Sequence, residues 1–324
     1  MCSGITSCKG QQTFGTQYLQ FEKSILLPNV KGRIDHLAMN EKDKIIYVAA
    51  LGNNSLEIVD LQKGKVIHTI KGLDEPQGVA YISPTDEIFV ANGGNGACYF
   101  YNVHTFKKTD SVQLSSDADD AFYDPVSNKI YVGYGSGGIA VIDAVTHRLI
   151  SRINLPAHPE RFQLDKPSGK IYANLPDAHT IGVIDLNQMK LMKEWKTNHL
   201  HANFPMALDT LHHRLFIGYR QPATLAVLDS RTGKVISTMP MTGDADDMYF
   251  DEAAQRIYVS GGSGYINIFQ QKDADTYHKI ADIPTQRGAR TSLLVPRLHL
   301  FLVAERAEGN REAQLLIYST ANSR

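Results

Sequence analysis

The sequence predicts an all-β fold: a seven-bladed β-propeller with four antiparallel strands per blade, its ring closed by an N-terminal strand that completes the last blade. Three observations predict it. A short motif, aliphatic–aromatic–aliphatic, returns with its aromatic at Tyr47, Phe89, Tyr131, Tyr172, Phe216, Tyr258 and Phe301, at intervals of 42, 42, 41, 44, 42 and 43 residues. Four strand-like runs fill each interval, and a four-stranded unit of that length is a propeller blade. No segment carries a sustained helical period.

The elements follow in order. Residues 1–16 are a polar leader, 17–320 a single propeller domain and 321–324 a tail. "YLQFEKSILL", residues 18–27, precedes the first inner strand with no partners of its own. It matches the outer-strand runs "KVIHTI" (65–70) and "RLISRI" (148–153). "AQLLIYS" (313–319) reads as the third strand of the last blade, so the N-terminal run is expected to supply its fourth. Such closure removes an open sheet edge. Within a blade, residues 74–111 show the texture. "GVAYI" leads through the turn signal "SPTD" to "EIFVAN", then through "GGNG" to "ACYFYN", and on to "KKTDSVQL". The repeated aromatics are expected in the core between blades, not as stacking platforms for a nucleic acid.

Composition bounds the function. The 324 residues carry a formal net charge of −1, with 43% hydrophobic and 21% charged residues. That balance gives no overall basic footprint, so a nucleic-acid partner is not expected. No apolar run reaches the roughly 18–20 residues of a membrane helix. Cys2, Cys8 and Cys98 have no zinc spacing, and Cys98 reads as a buried small apolar residue. The opening Met1-Cys2-Ser3-Gly4 fits a mature lipoprotein beginning at Cys2. Export to the periplasm or cell surface with a lipid anchor at Cys2 is the expectation, and a cytoplasmic protein with a plain polar tail is the alternative.

On "IYVAALGNNSLEIVDLQKGKVIHTI" (46–70), "IYVGYGSGGIAVIDAVTHRLISRI" (130–153) and "LFIGYRQPATLAVLDSRTGKVISTM" (215–239), the chain resembles the YVTN-repeat, YncE-like propellers, a surface-layer-like bacterial and archaeal group. The resemblance covers roughly residues 18–320 and implies the seven-bladed fold. It implies little about function, since propellers host binding, scaffolding and some catalysis. Asn102, Gln270 and Ser319 replace the turn-forming Asp that ends the third strand at Asp60, Asp143, Asp185 and Asp229.

The chemistry concentrates in one place. "LSSDADDAFYD" (114–124) recurs as "MTGDADDMYFD" (241–251), each just before an inner strand. Strand alternation puts both on the face that carries the crossovers between blades, at the mouth of the central channel. The residue before each inner strand gives the ring His36, Gly78, Asp120, Arg161, Pro205, Asp247 and Thr291. One residue earlier it reads Asp35, Gln77, Asp119, Glu160, Phe204, Asp246 and Arg290. Each acidic loop is expected to pair with an arginine of the following blade: Asp119 and Asp120 with Arg161, Asp246 and Asp247 with Arg287 or Arg290.

Arg33, Asp35, His36, His158, Arg161, His201, Asn203, Arg287 and Arg290 are the candidate ligand contacts. Asp120, Asp247 and His36 are the candidate metal ligands, since carboxylate with imidazole suits a divalent ion. No catalytic residue is assigned, because no G-x-S-x-G elbow or P-loop is present. "GYGSGG" (133–138) and "GGSGY" (261–265) read as tight turns between strands. The leading expectation is a monomeric, non-enzymatic binding or scaffold propeller, without cofactor, that takes a small molecule, peptide or protein at the mouth. The alternative is a metal-assisted hydrolase or lyase of lactonase-like type, with a divalent metal at the same mouth.

Overall fold

Residues 17–320 are described by a computed structural model of the chain. The leader with Cys2 and Cys8, and the tail 321–324, lie outside the described residues. Those described form seven four-stranded antiparallel sheets. Blades 1 to 6 each use four consecutive strands. Blade 7 takes Ser292–Val295, Leu300–Glu305 and Ala313–Thr320, then Leu19–Leu27 as its outermost strand. The two ends are registered from Leu19 opposite Thr320 to Leu27 opposite Ala313. The expected closure is therefore present.

Burial follows strand position. The second and third strands of blade 1, Ile45–Ala50 and Ser55–Asp60, are buried almost throughout, whereas its outer strand Lys65–Lys71 is mostly exposed. Seven buried apolar clusters among the described residues each span two neighbouring blades. A single blade cannot bury both its faces; the ring does it for all of them.

All seven repeat aromatics are buried, but one sits out of register. In blade 1, Tyr47 lies opposite Ala38, the second residue of the inner strand, and faces blade 2. In blade 7 the residue opposite the second inner position, Leu293, is Leu302, and Phe301 lies one place earlier. A one-residue offset moves a side chain to the other face of a sheet. Phe301 accordingly faces blade 6 and stacks on Tyr258 with ring centroids 5.2 Å apart. Leu302 packs in the interface with blade 1.

The turn acids act as expected. Asp143 accepts hydrogen bonds from the Val145 and Thr146 amides, and Asp185 from those of Asn187 and Gln188. Asn102 does the same for His104 and Thr105. "GYGSGG" and "GGSGY" join second to third strands, and Cys98 is buried.

Candidate functional site

The ring of residues ahead of the inner strands is fixed by backbone bonds. The carbonyls of His36, Asp120, Arg161 and Thr291 accept from the amides of Ala49, Gly133, Asn174 and Ala304 at 3.0–3.1 Å. Three residues before the ring position the chain turns left-handed in five blades, at Glu75, Asp117, Ala202, Asp244 and Gly288. Asp is among the few side chains that enter this region readily. This is one local reason why both acidic loops begin with Asp. At the ring position of blade 2, a Cβ on Gly78 would lie 2.1 Å from the Asp119 carbonyl oxygen. Only glycine lets blade 3's acidic loop pass.

Together the loops enclose a cavity of about 250 Å³ at the channel mouth. Six carboxyl side chains (Asp35, Asp117, Asp119, Asp120, Glu160 and Asp246) line it, as do six basic ones (Arg33, His36, His158, Arg161, Arg220 and Arg290). Gln77 and Phe204 complete the wall. The two acidic loops both reach this mouth, but they pair differently. Arg161 Nη1 donates to Asp120 Oδ1 at 2.7 Å, the expected bond to the following blade. Arg290 bonds Asp244 at 2.9 Å and Asp246 at 2.7 Å, not Asp247. Arg220 reaches Asp246 from blade 5 while its guanidinium lies 3.6 Å from the Phe204 ring centroid. Asp247 is fully buried and accepts from the Ser292 amide at 2.7 Å, and the charge of Arg161 acts on it without a direct bond. It ends a bulge at Ala245–Asp247 that turns its side chain beneath the mouth.

His36 occupies the centre. Its Nε2 stands 3.7 Å from Asp119 Oδ1, 3.8 Å from Asp35 Oδ1 and 3.9 Å from Asp120 Oδ1; its Nδ1 stands 3.8 Å from Asp247 Oδ1. Of the predicted metal trio, Asp120 faces Nε2 of the His36 ring and Asp247 faces Nδ1. Asp35, His36 and Asp119 bring one ligand atom each within 4.8 Å of one another.

Of the other predicted contacts, Arg33, Asp35, His36, His158, Arg161 and Arg290 line the cavity. Three do not. Asn203 is buried, donating to Asn174 Oδ1 and the Thr180 carbonyl, both at 3.0 Å. His201 pairs with Gln221 in the same sheet and packs edge-on to His179. Arg287 is exposed outside the wall. The reason is a bulge between Asn203 and Met206, which extends this inner strand back to His201 and turns both side chains away from the mouth. Tyr249 is a part the sequence reading did not single out. Two residues after Asp247, its ring lies 5.9 Å from the Arg161 guanidinium, and its hydroxyl donates to the Ser292 carbonyl.

Crowded charge shifts protonation. Burial and the nearby Asp119 and Asp246 charges push Asp35 up to about 7, against the pull of His36. Burial, with the same two acids, pushes Glu160 up to about 8. Burial opposes charge on His36, but Asp35, Asp247 and Asp120 outweigh it and lift the imidazole to about 9. His158 is likewise lifted to about 9 by Asp119 and by the bond from its Nδ1 to the Gly135 carbonyl. The mouth thus holds both signs and several protons that are exchangeable near neutrality.

No protein-family model matches this chain, and no curated protein sequence does. Solved structures match in fold. A chain of the mitotic checkpoint complex covers 99% of this chain and is itself 97% covered, with a TM-score of 0.77 at 15% identity. A Kuenenia stuttgartiensis hydrazine synthase chain gives 0.78 at 14% identity, covering 91% of this chain and 98% of its own. The WD40 repeats of RRP9 give 0.78 at 9% identity, covering 95% and 99%. This chain is thus a seven-bladed β-propeller with WD40-like structural neighbours.

Proposed function

We propose that this chain is a non-enzymatic binding propeller whose ligand sits in the channel mouth on the crossover face. The observation that carries the reading is the cavity of about 250 Å³ walled by six carboxyl and six basic side chains. An apolar ligand would take these groups out of water with nothing in exchange. The fitting ligand is a small molecule bearing both charge signs, or a charged side chain of a peptide or partner protein. The propeller neighbours support a protein-partner role, one of them being a chain of the mitotic checkpoint complex. A thermal-shift screen of amino acids and short charged peptides tests it, since a ligand of the native state raises the melting temperature. Arg33, whose side chain is 47% exposed at the rim, gives the variant. Arg33→Ala should fold normally and reduce the shift. If no compound moves the melting temperature, the reading fails.

The finer assignment is to the YVTN-repeat, YncE-like group, as an exported monomer anchored through Cys2. It rests on the repeat residues and the opening Met1-Cys2-Ser3-Gly4. Partition of the native protein to membranes tests the anchor, and a protein wholly in the cytosolic fraction would sink it.

A further inference from the structure

We propose that the floor of the mouth is a divalent-metal site, in which His36 Nε2 and one oxygen each of Asp35 and Asp119 take a first-row ion such as Mn²⁺. This goes beyond ligand binding at the mouth and does not depend on it.

The spacing is the first ground. Two histidines outside the mouth close on a carboxylate to hydrogen-bond distance, 2.7 Å for His212 with Asp209 and 2.9 Å for His147 with Glu87, whereas His158, in the mouth, stands 3.6 Å from Asp117 and 3.7 Å from Asp119. His36 stands off from four carboxylates at 3.7–3.9 Å and bonds none of them. Two atoms each about 2.1 Å from one ion lie about 3.4–3.8 Å apart at bond angles of about 110–130°. The 3.7 and 3.8 Å separations of Nε2 from Asp119 and Asp35 fall in that range.

The surroundings are the second ground. Each carboxylate has its other oxygen turned to a cation: Asp35 Oδ2 to Arg33 at 3.1 Å, and Asp119 Oδ2 to His158 Nε2 at 3.7 Å. Both Oδ1 atoms are left facing Nε2. Behind the ring, Asp247 Oδ1 is buried with no hydrogen-bond partner, 3.8 Å from Nδ1. That is the place of the carboxylate which holds a metal-bound histidine in its Nδ1–H tautomer. Asp120, 4% exposed, directs its Oδ1 at the same Nε2 from 3.9 Å, and its Oδ2 is also without a partner.

Charge and ligand type choose the ion. Asp120 and Asp246 are neutralised by Arg161, Arg220 and Arg290. A divalent ion would displace the proton that His36 carries and stand against the charges of Asp35 and Asp119. One nitrogen among oxygens suits Mn²⁺ or Zn²⁺ better than Ca²⁺, which takes oxygen alone.

The test is an electron-paramagnetic-resonance titration of the full chain with Mn²⁺, which the thiols of Cys2, Cys8 and Cys98 bind poorly. One ion per chain is expected, with a nitrogen coupling that changes on ¹⁵N-histidine labelling. His36→Gln should abolish that coupling. Asp247→Asn, which leaves all three ligands in place, should weaken binding about 10–100-fold. His201→Gln, outside the cavity, should change nothing. The labelling result needs no variant and so stands even if His36→Gln does not fold. Absence of saturable binding below about 1 mM Mn²⁺, or a bound ion without imidazole coupling, would overturn the proposal.

Discussion

Removing residues 1–28 should open the ring. The lost strand, Leu19–Leu27, carries Leu19, Ile25 and Leu27, each at most 1% exposed. Burying such a side chain is worth about 1.5–3 kcal/mol, so three contribute about 5–9 kcal/mol. A domain is stable by about 5–15 kcal/mol in all. The truncation also unpairs the edge of Ala313–Thr320, which is registered with the missing strand from Thr320 to Ala313. The expected outcome is a chain that is unfolded or aggregated at 37 °C. Urea denaturation followed by near-ultraviolet circular dichroism measures it. Two controls sharpen the result. Deleting only residues 1–14, whose sequence has no core pattern, should leave the midpoint unchanged. A synthetic peptide of residues 17–29, added to the truncated chain, should restore the native signal by strand addition. A 29–324 chain with the wild-type midpoint would refute the reasoning, because blade 7 would then be complete without its fourth strand.

Other perturbations separate structure from site. Asp120→Ala strands Arg161 at the 2.7 Å pair and should cost about 3–5 kcal/mol in urea denaturation. Adding Arg161→Met should recover part of that loss, and equal midpoints for single and double variants would count against pairing. Ala202 holds φ 56°, a region that costs a side chain about 1–2 kcal/mol. Ala202→Gly should therefore raise the melting temperature, and a lowered one would contradict this. Leu302→Ala should cost about 2–5 kcal/mol as a cavity between blades 7 and 1; a loss under 1 kcal/mol would deny it that place. Burial acts against the charge of Asp124, but Lys166 and Ser127 prevail and hold its carboxyl below the ordinary 3.8. Its stabilisation is thus present above about pH 4 and lost as pH falls through the lower folded value. The stability gap between wild type and Asp124→Asn should shrink between pH 7 and pH 2, and a constant gap would count against the pairing.

The blade count and the ring of mouth residues were legible because both depend on spacing along the chain. Seven aromatics at near-even intervals define the second strands, and the turn before each fixes where the inner strand begins. Depth was not legible. Whether a loop residue points into the mouth or between blades depends on bulges, and these leave no fixed mark in one sequence. The bulge before Met206 turned His201 and Asn203 away, and the one ending at Asp247 took that acid beneath the floor. Arg220 stands near the end of the second strand of blade 5, Arg214–Gln221. Its reach to Asp246 depends on how blades 5 and 6 approach in space. The offset of Phe301 from its repeat mates was hidden for a different reason. Leu-Phe-Leu-Val is apolar throughout, so its hydrophobicity cannot tell one face from the other.

The closing strand also decides which way the molecule points when something holds it by an end. Leu19 and Thr320 lie side by side, and the Thr320 amide bonds the His299 carbonyl in the turn between the first two strands of blade 7. That turn is on the side of the ring away from the cavity. Both ends of the described chain therefore leave from the underside. A short tether attached at Leu19 or Thr320 themselves would leave from the face opposite the charged mouth.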